Sequence, residues 1–199
     1  MQIEILANQV SAYLGALPQV KNCRFYGSLA NGSYDHYSDI DLEIDVSGLD
    51  NGQFLLEIPD LISRRFPVVF FDFAPSLVPE KYVVSVAIDT ENPFGIVDIS
   101  CAAQPHCRTV SRQDLETRND PYCHILKLFT MNLKHFSRGM DCLQDIEKMY
   151  RKVFSSSSSA LSREEMLLEV YRWLRENASE RQKAYVRALE PYLKEVHPI

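Results

Sequence analysis

In the stretch GSLANGSYDHYSDIDLEID, Gly27 to Asp45, acids fall at every second position near the end: Asp39, Asp41, Glu43 and Asp45 alternate with Ile40, Leu42, Ile44 and Val46. A strand repeats its faces every two residues, so the four carboxylates share one face and the aliphatic residues the other. Neighbouring carboxylates raise one another's pKa, and a chain tolerates them either by leaving the face in water or by binding a cation. A solvated strand face is the plainer alternative. The residues just upstream favour the cation. Gly27-Ser28 reads as a turn after a strand, which frees backbone N–H groups, and a helix starting there would add positive potential suited to phosphate. Magnesium binds through a few carboxylates and completes its octahedron with water and phosphate oxygens. A phosphate seat beside a magnesium seat is the equipment for phosphoryl or nucleotidyl transfer.

The elements that must position these groups are legible as patterns. Residues 2–17 carry Ile3, Leu6, Val10, Tyr13, Leu14 and Leu17 at helical spacing, and Pro18 ends that helix. A short strand over Asn22–Tyr26 runs into Gly27. After the acidic strand, Ser47, Gly48, Asn51 and Gly52 mark a turn, and Phe54–Phe66 reads as a helix distorted by Pro59. Val68–Phe73, Tyr82–Ile88 and Phe94–Ser100 are rich in Val, Ile, Phe and Tyr and read as strands, the last two joined by a hairpin at DTENPFG. This order predicts an α+β fold with a mixed or antiparallel sheet. Beyond residue 104 the pattern turns helical. Asp120-Pro121 starts a helix that Gly139 closes, and Met140–Phe154 forms the next. Ser155–Ser159 reads as a flexible link. Ser162 with Glu165 and Ser179 with Gln182 fit capping boxes for two more helices, and Pro191 is expected to kink the last. The expected domains are 1–103, carrying the sheet, and 104–199, a helical bundle.

Composition bounds the function classes. The chain has 199 residues, 46% hydrophobic and 24% charged, in the range of a folded globular protein. It lacks a run of about 18 apolar residues, and MQIEILANQV lacks a secretory pattern, so a cytoplasmic protein without membrane contact is the expectation. Five scattered cysteines argue against a disulfide framework, and Cys101, His106 and Cys107 lack the second cluster that zinc requires. The net charge of −6 is uneven: residues 1–103 carry −9 and residues 104–199 carry +3. An acidic chain is ill suited to sequence-independent binding of long nucleic acid.

The pattern G-S-x-x-x-G-x-x-x-x-x-S-D-I-D-L, formed by Gly27, Ser28, Gly32, Ser38, Asp39, Ile40, Asp41 and Leu42, resembles the signature of the nucleotidyltransferase superfamily that includes DNA polymerase beta and the antibiotic nucleotidyltransferases. The resemblance covers residues 20 to about 103. It implies a catalytic sheet with flanking helices, with Gly27 and Ser28 holding a triphosphate and Asp39 and Asp41 ligating two magnesium ions. A third carboxylate on a neighbouring strand completes such sites. Asp98 in GIVDIS is the choice, as an acid between aliphatic residues after a hairpin, and Asp72 in VVFFDFAPS is the rival. Asp98 is then also the acceptor of the hydroxyl proton.

On the helix after Pro121, Lys134 and Arg138 each lie within about 20° of Lys127 around the axis. Their stripe is either a solvated basic face or a set of ligands for the β- and γ-phosphates. Small antibiotic nucleotidyltransferases, such as those modifying aminoglycosides or lincosamides, pair the sheet with a helical bundle of similar size. The resemblance therefore implies an ATP-dependent, or other NTP-dependent, transferase that moves AMP or another NMP to a hydroxyl of a small molecule, with antibiotic resistance as one setting. The alternative is an antitoxin-type enzyme that nucleotidylates a protein partner. The sequence fixes neither the acceptor, nor the base, nor the choice between monomer and homodimer.

Overall fold

The computed structural model describes residues 3–74, 78, 80–88, 91–107, 109–155 and 161–196. It divides into two compact units, Met1–Asn119 and Asp120–Ile199. The division falls later than Ala103, since residues 104–119 belong to the first unit.

In the first unit, α1 (Ile3–Gly15) buries Leu6, Ala7, Val10 and Leu14, the stripe expected of its sequence. β1 (Asn22–Phe25) leads into a short helix, α2 (Gly27–Asn31), and then β2 (Ile40–Asp45). α3 (Asn51–Ser63) precedes β3 (Phe70–Ala74), β4 (Lys81–Ala87), β5 (Val97–Ala102) and α4 (Arg112–Glu116). The five strands form one mixed sheet in the order β1-β2-β5-β4-β3. β2 and β5 are parallel, and the other neighbours are antiparallel. The fold is α+β, as the pattern requires.

The sheet has two unlike faces, and the register fixes which residues share each. Phe73, Val84, Ile99 and Leu42 are mutually paired across four strands and lie in the core with Leu6, Val10, Leu14, Phe54, Leu55, Ile58 and Ile62. α1 and α3 therefore cover the apolar face. The other face carries Asp72, Ser85, Asp98 and Asp41 in one row, and Ser100 and Glu43 in the next.

Local departures from the sequence reading have identifiable causes. Asp50 accepts hydrogen bonds from the Gly52 and Gln53 N–H groups, so Asn51 and Gly52 form the first turn of α3 and not a loop before it. α3 runs uninterrupted through Pro59, because its buried Phe54, Leu55, Ile58 and Ile62 hold it against the sheet. Phe94 and Gly95 precede β5 instead of opening it, since Asn92 turns the chain there through its side chain and carbonyl. α4, with Ser111 and Asp114 in a capping box, is an element the sequence reading lacks.

The second unit is helical. α5 (Pro121–Ser137) starts at Asp120, which accepts from the Cys123 N–H, and ends before Gly139, whose φ is +69°. α6 (Leu143–Phe154), α7 (Arg163–Asn177), α8 (Glu180–Ala188) and α9 (Glu190–Val196) follow. α6 starts after Met140, which remains in the link beyond Gly139. Both expected capping boxes are present, at Ser162 with Glu165 and at Ser179 with Gln182. Pro191 does not kink one helix. It occupies the first turn of α9, where its missing N–H costs nothing, and α8 has already ended at Leu189. Of the serine link only Ser155, in a left-handed conformation, is described; Ser156–Ser159 lie outside the described residues. Among the described residues no helix is long and apolar enough to cross a membrane.

One buried polar residue ties the end of β5 to the segment beyond it. Asn51 is fully buried; its amide donates to the Cys101 carbonyl at 3.1 Å and accepts from the Cys107 N–H at 3.3 Å. Asn51→Ala strands both groups and should lower stability by about 2 kcal/mol, the usual cost of unsatisfied buried partners. Urea denaturation followed by circular dichroism measures it, and an unchanged midpoint would remove this tie.

Candidate active site

Asp41 occupies β2 directly opposite Asp98 on β5. Directly paired residues point to the same face, and adjacent strands lie about 4.8 Å apart, so the two carboxylates are neighbours. Asp39 stands just before β2, two residues ahead of Asp41. The turn that delivers it is built by Ser38, a buried residue whose hydroxyl donates to Asp35 Oδ1 at 2.8 Å and accepts from the Asp35 N–H at 2.9 Å. Ser38 thereby fixes where the strand begins.

Asp72, the rival to Asp98, lies on the same face but not beside Asp41. It pairs with Ser85, which pairs with Asp98, so β4 and β5 intervene between Asp72 and β2. The separation from Asp41 is about 14 Å by strand spacing, against about 5 Å for Asp98. Asp72 is also only 1% exposed.

Gly27 and Ser28 open α2 immediately after Tyr26, whose N–H donates to the Asp41 carbonyl at 3.1 Å. The helix that the sequence left conditional is therefore present, though only five residues long. Gly27 has φ +66°, and a Cβ built on it would overlap Asp41 Oδ2 and lie 3.1 Å from Asp41 Cγ. The backbone at the start of α2 thus approaches the Asp41 carboxylate as closely as only glycine allows.

The four alternating acids separate into two pairs. Asp41 is paired with Asp98, and Asp39 directly precedes the strand. Glu43 is held by Arg24 on β1 and Lys81 on β4, and Asp45 accepts from the N–H and hydroxyl of Ser47. Burial acts to raise the Glu43 pKa, but the bonds from Lys81 and Arg24 prevail and keep it below the ordinary value. At Glu43 the strand face is not simply solvated: the side chain is 14% exposed and paired with two cations.

Two hydroxyls on this face have no counterpart in the sequence reading. Ser85 donates to Asp98 Oδ1, and Tyr26 shares a 3.1 Å hydrogen bond with Ser100 Oγ. Burial raises the Tyr26 pKa, the Ser100 bond opposes this, and the charges of Asp41, Asp98 and Glu43 add to the rise, so the phenol stays protonated. The available signals are modest: a lone serine inside YVVSVA, and an aromatic residue placed just before Gly27.

Among the described residues no group of three His, Cys, Asp or Glu forms a ready metal cage. A magnesium site does not require one, since substrate oxygens and water complete it. Asp39, Asp41 and Asp98 offer only hard oxygen donors, which suits that ion.

The basic stripe lies in the second unit, on α5. Lys127 is half-buried, Arg138 caps the helix in solvent, and Lys134 is only 7% exposed. A wholly solvated face is thus not what Lys134 occupies. On the other side Ile125, Phe129 and Leu133 are buried, while Leu128 and Phe136 are half-buried.

Gly27 and Gly32 allow a controlled comparison. Gly32 also has positive φ, +72°, but a Cβ there meets nothing within 4 Å. Gly32→Ala should cost about 1 kcal/mol from backbone conformation alone, and Gly27→Ala more, because it also displaces Asp41. Equal losses in urea denaturation would refute the close approach.

The sequence matches no protein-family model and no curated protein. Among solved structures, one described as "structure of GLD-2/RNP-8 complex" aligns with 92% of this chain at 13% identity and a TM-score of 0.39. The chain spans 59% of the length of that structure's chain.

Proposed function

We propose that the protein is a magnesium-dependent nucleotidyltransferase that moves a nucleoside monophosphate, AMP from ATP, to a hydroxyl of a small molecule and releases pyrophosphate. The observation that carries this reading is the juxtaposition of Asp41 and Asp98 on parallel neighbouring strands, with the start of α2 packed against Asp41. It gives the G-S…S-D-I-D-L pattern a spatial meaning. An acidic patch, taken alone, lacks both the glycine approach and the third acid.

In this reading Asp39, Asp41 and Asp98 hold magnesium through their carboxylate oxygens. The bound ion supplies Lewis-acid chemistry, favouring the ionised acceptor hydroxyl and offsetting charge on the departing pyrophosphate. The backbone N–H groups of Gly27 and Ser28 hold the triphosphate and orient its α-phosphorus. The acceptor hydroxyl gives its proton to Asp98. Its oxygen bonds to the α-phosphorus while the bond from that phosphorus to the pyrophosphate oxygen breaks. Lys127, Lys134 and Arg138 lie in the second unit, and their part in this proposal, contact with the β- and γ-phosphates, rests on the sequence expectation. The acceptor class extends to antibiotics, and a cytoplasmic setting accords with the availability of ATP.

Asp39→Asn and Asp41→Asn should each reduce magnesium-dependent pyrophosphate release at least a thousandfold with the fold retained by circular dichroism. Asp98→Asn should do the same, and Asp72→Asn should leave turnover within about tenfold of wild type. Activity kept in both Asp39→Asn and Asp41→Asn removes the metal assignment, and loss only in Asp72→Asn reassigns the third ligand. Lys134→Ala should raise the KM for ATP with kcat little altered; an unchanged KM removes the stripe from the triphosphate. Labelled ATP with magnesium and a panel of antibiotics and hydroxyl metabolites, read by mass spectrometry, identifies the acceptor.

A further inference from the structure

We propose that Ser85 is a positioning residue, which holds one carboxylate oxygen of Asp98 so that the other is presented to the Asp41 side of the site; this rests on the reading of Asp98 as a site carboxylate. β5 lies between β2 and β4, so Asp98 has Asp41 on one flank and Ser85 on the other. The Ser85 hydroxyl donates to Oδ1 from the β4 side. That bond restrains rotation about the last side-chain torsion, which is otherwise broad for aspartate. The flank of Asp98 away from Ser85 is the β2 side, where Asp41 is its direct partner and the start of α2 packs against Asp41.

The composition of β4 supports a dedicated role. Its neighbours Val83, Val84, Val86 and Ala87 are apolar, and Ser85 is 1% exposed. A hydroxyl in such a strand is unfavourable unless bonded, and alanine would fill the position without that demand. Ser85 also stands between Asp98 and the buried Asp72 in the cross-strand row. A neutral donor between two acids separates their charges without adding a third.

The test uses the full chain and compares Ser85→Ala, Ser85→Thr, Ser85→Cys and Asp98→Asn. Manganese alone, followed by the electron paramagnetic resonance of the free ion, reports the carboxylates directly. Pyrophosphate release from ATP reports turnover, and thermal unfolding reports stability. Ser85→Ala should bind manganese about tenfold more weakly and lose about tenfold in kcat, with the KM for ATP within twofold and melting little changed. Ser85→Thr, which keeps the hydroxyl, should restore both within threefold. Ser85→Cys, of similar volume but with a weak donor, should follow alanine and serves should alanine fail to fold. Wild-type manganese affinity and kcat in the alanine or cysteine variant, while Asp98→Asn loses both, overturns the role of Ser85 and leaves that of Asp98 intact. Retention of both in Asp98→Asn overturns the functional reading itself.

Discussion

Two carboxylates placed opposite each other on parallel strands, Asp41 and Asp98, are the constraint around which the first unit is organised. At about 5 Å and an effective dielectric near 20, two full charges repel by about 3 kcal/mol, a sizeable share of a domain's stability. The surroundings counter this with oriented dipoles. Ser85 donates to Asp98 from one flank, and the backbone opening α2 closes on Asp41 from the other. Meanwhile the opposite face of the same strands is packed with Ile40, Leu42, Ile44, Val97 and Ile99, none of them exposed. A strand that is apolar on one side can carry an unfavourable charge on the other, because the core fixes its register and the charges cannot escape by slipping one residue.

Much of this was legible in the sequence, and the limits are physical. Helices with strong stripes and explicit caps, α1, α5 and α7, appear where Leu6, Val10 and Leu14, the Asp120-Pro121 pair and the Ser162–Glu165 box place them. Boundaries failed where one residue type serves two purposes. Asn51 and Gly52 read as turn residues, yet they follow the Asp50 cap and belong to α3. Phe94 reads as a strand residue by its aromatic side chain, while the Asn92 turn beside it sets its backbone. α4 is too short to leave a periodic signature.

The site divides along the same line. Residues close in sequence, Gly27, Ser28, Ser38, Asp39 and Asp41, could be grouped through the motif they form and its family resemblance, because such a motif is contiguous in the chain. Asp98 needed strand order: the hairpin argument placed it on a plausible strand, but only the β2–β5 pairing distinguishes it from Asp72. Ser85 was invisible, since its meaning depends on being directly opposite Asp98 in a register that no local pattern specifies. Lys134 shows the converse. The helical stripe placed it correctly among Lys127 and Arg138, but amphipathicity suggested solvent where the chain buries it. A lysine with so little exposure is held by its surroundings, not left to water.

The alternation that began on β2 also explains why acids continue past the cluster. Glu43 lies one step further along the face, where Arg24 on β1 and Lys81 on β4 both reach it. Those cations bind β2 to strands on either side of it and, being paired there, are not drawn into the row of Asp41 and Asp98. Asp45 is used locally, folding the chain at Ser47 as it leaves the sheet. The charge beyond Asp41 is thus neutralised by Arg24 and Lys81 and by the Ser47 turn. One pattern of alternating acids therefore serves different ends along a single strand: Asp41 faces Asp98 across the β2–β5 pairing, Glu43 joins strands, and Asp45 shapes the turn out of the sheet.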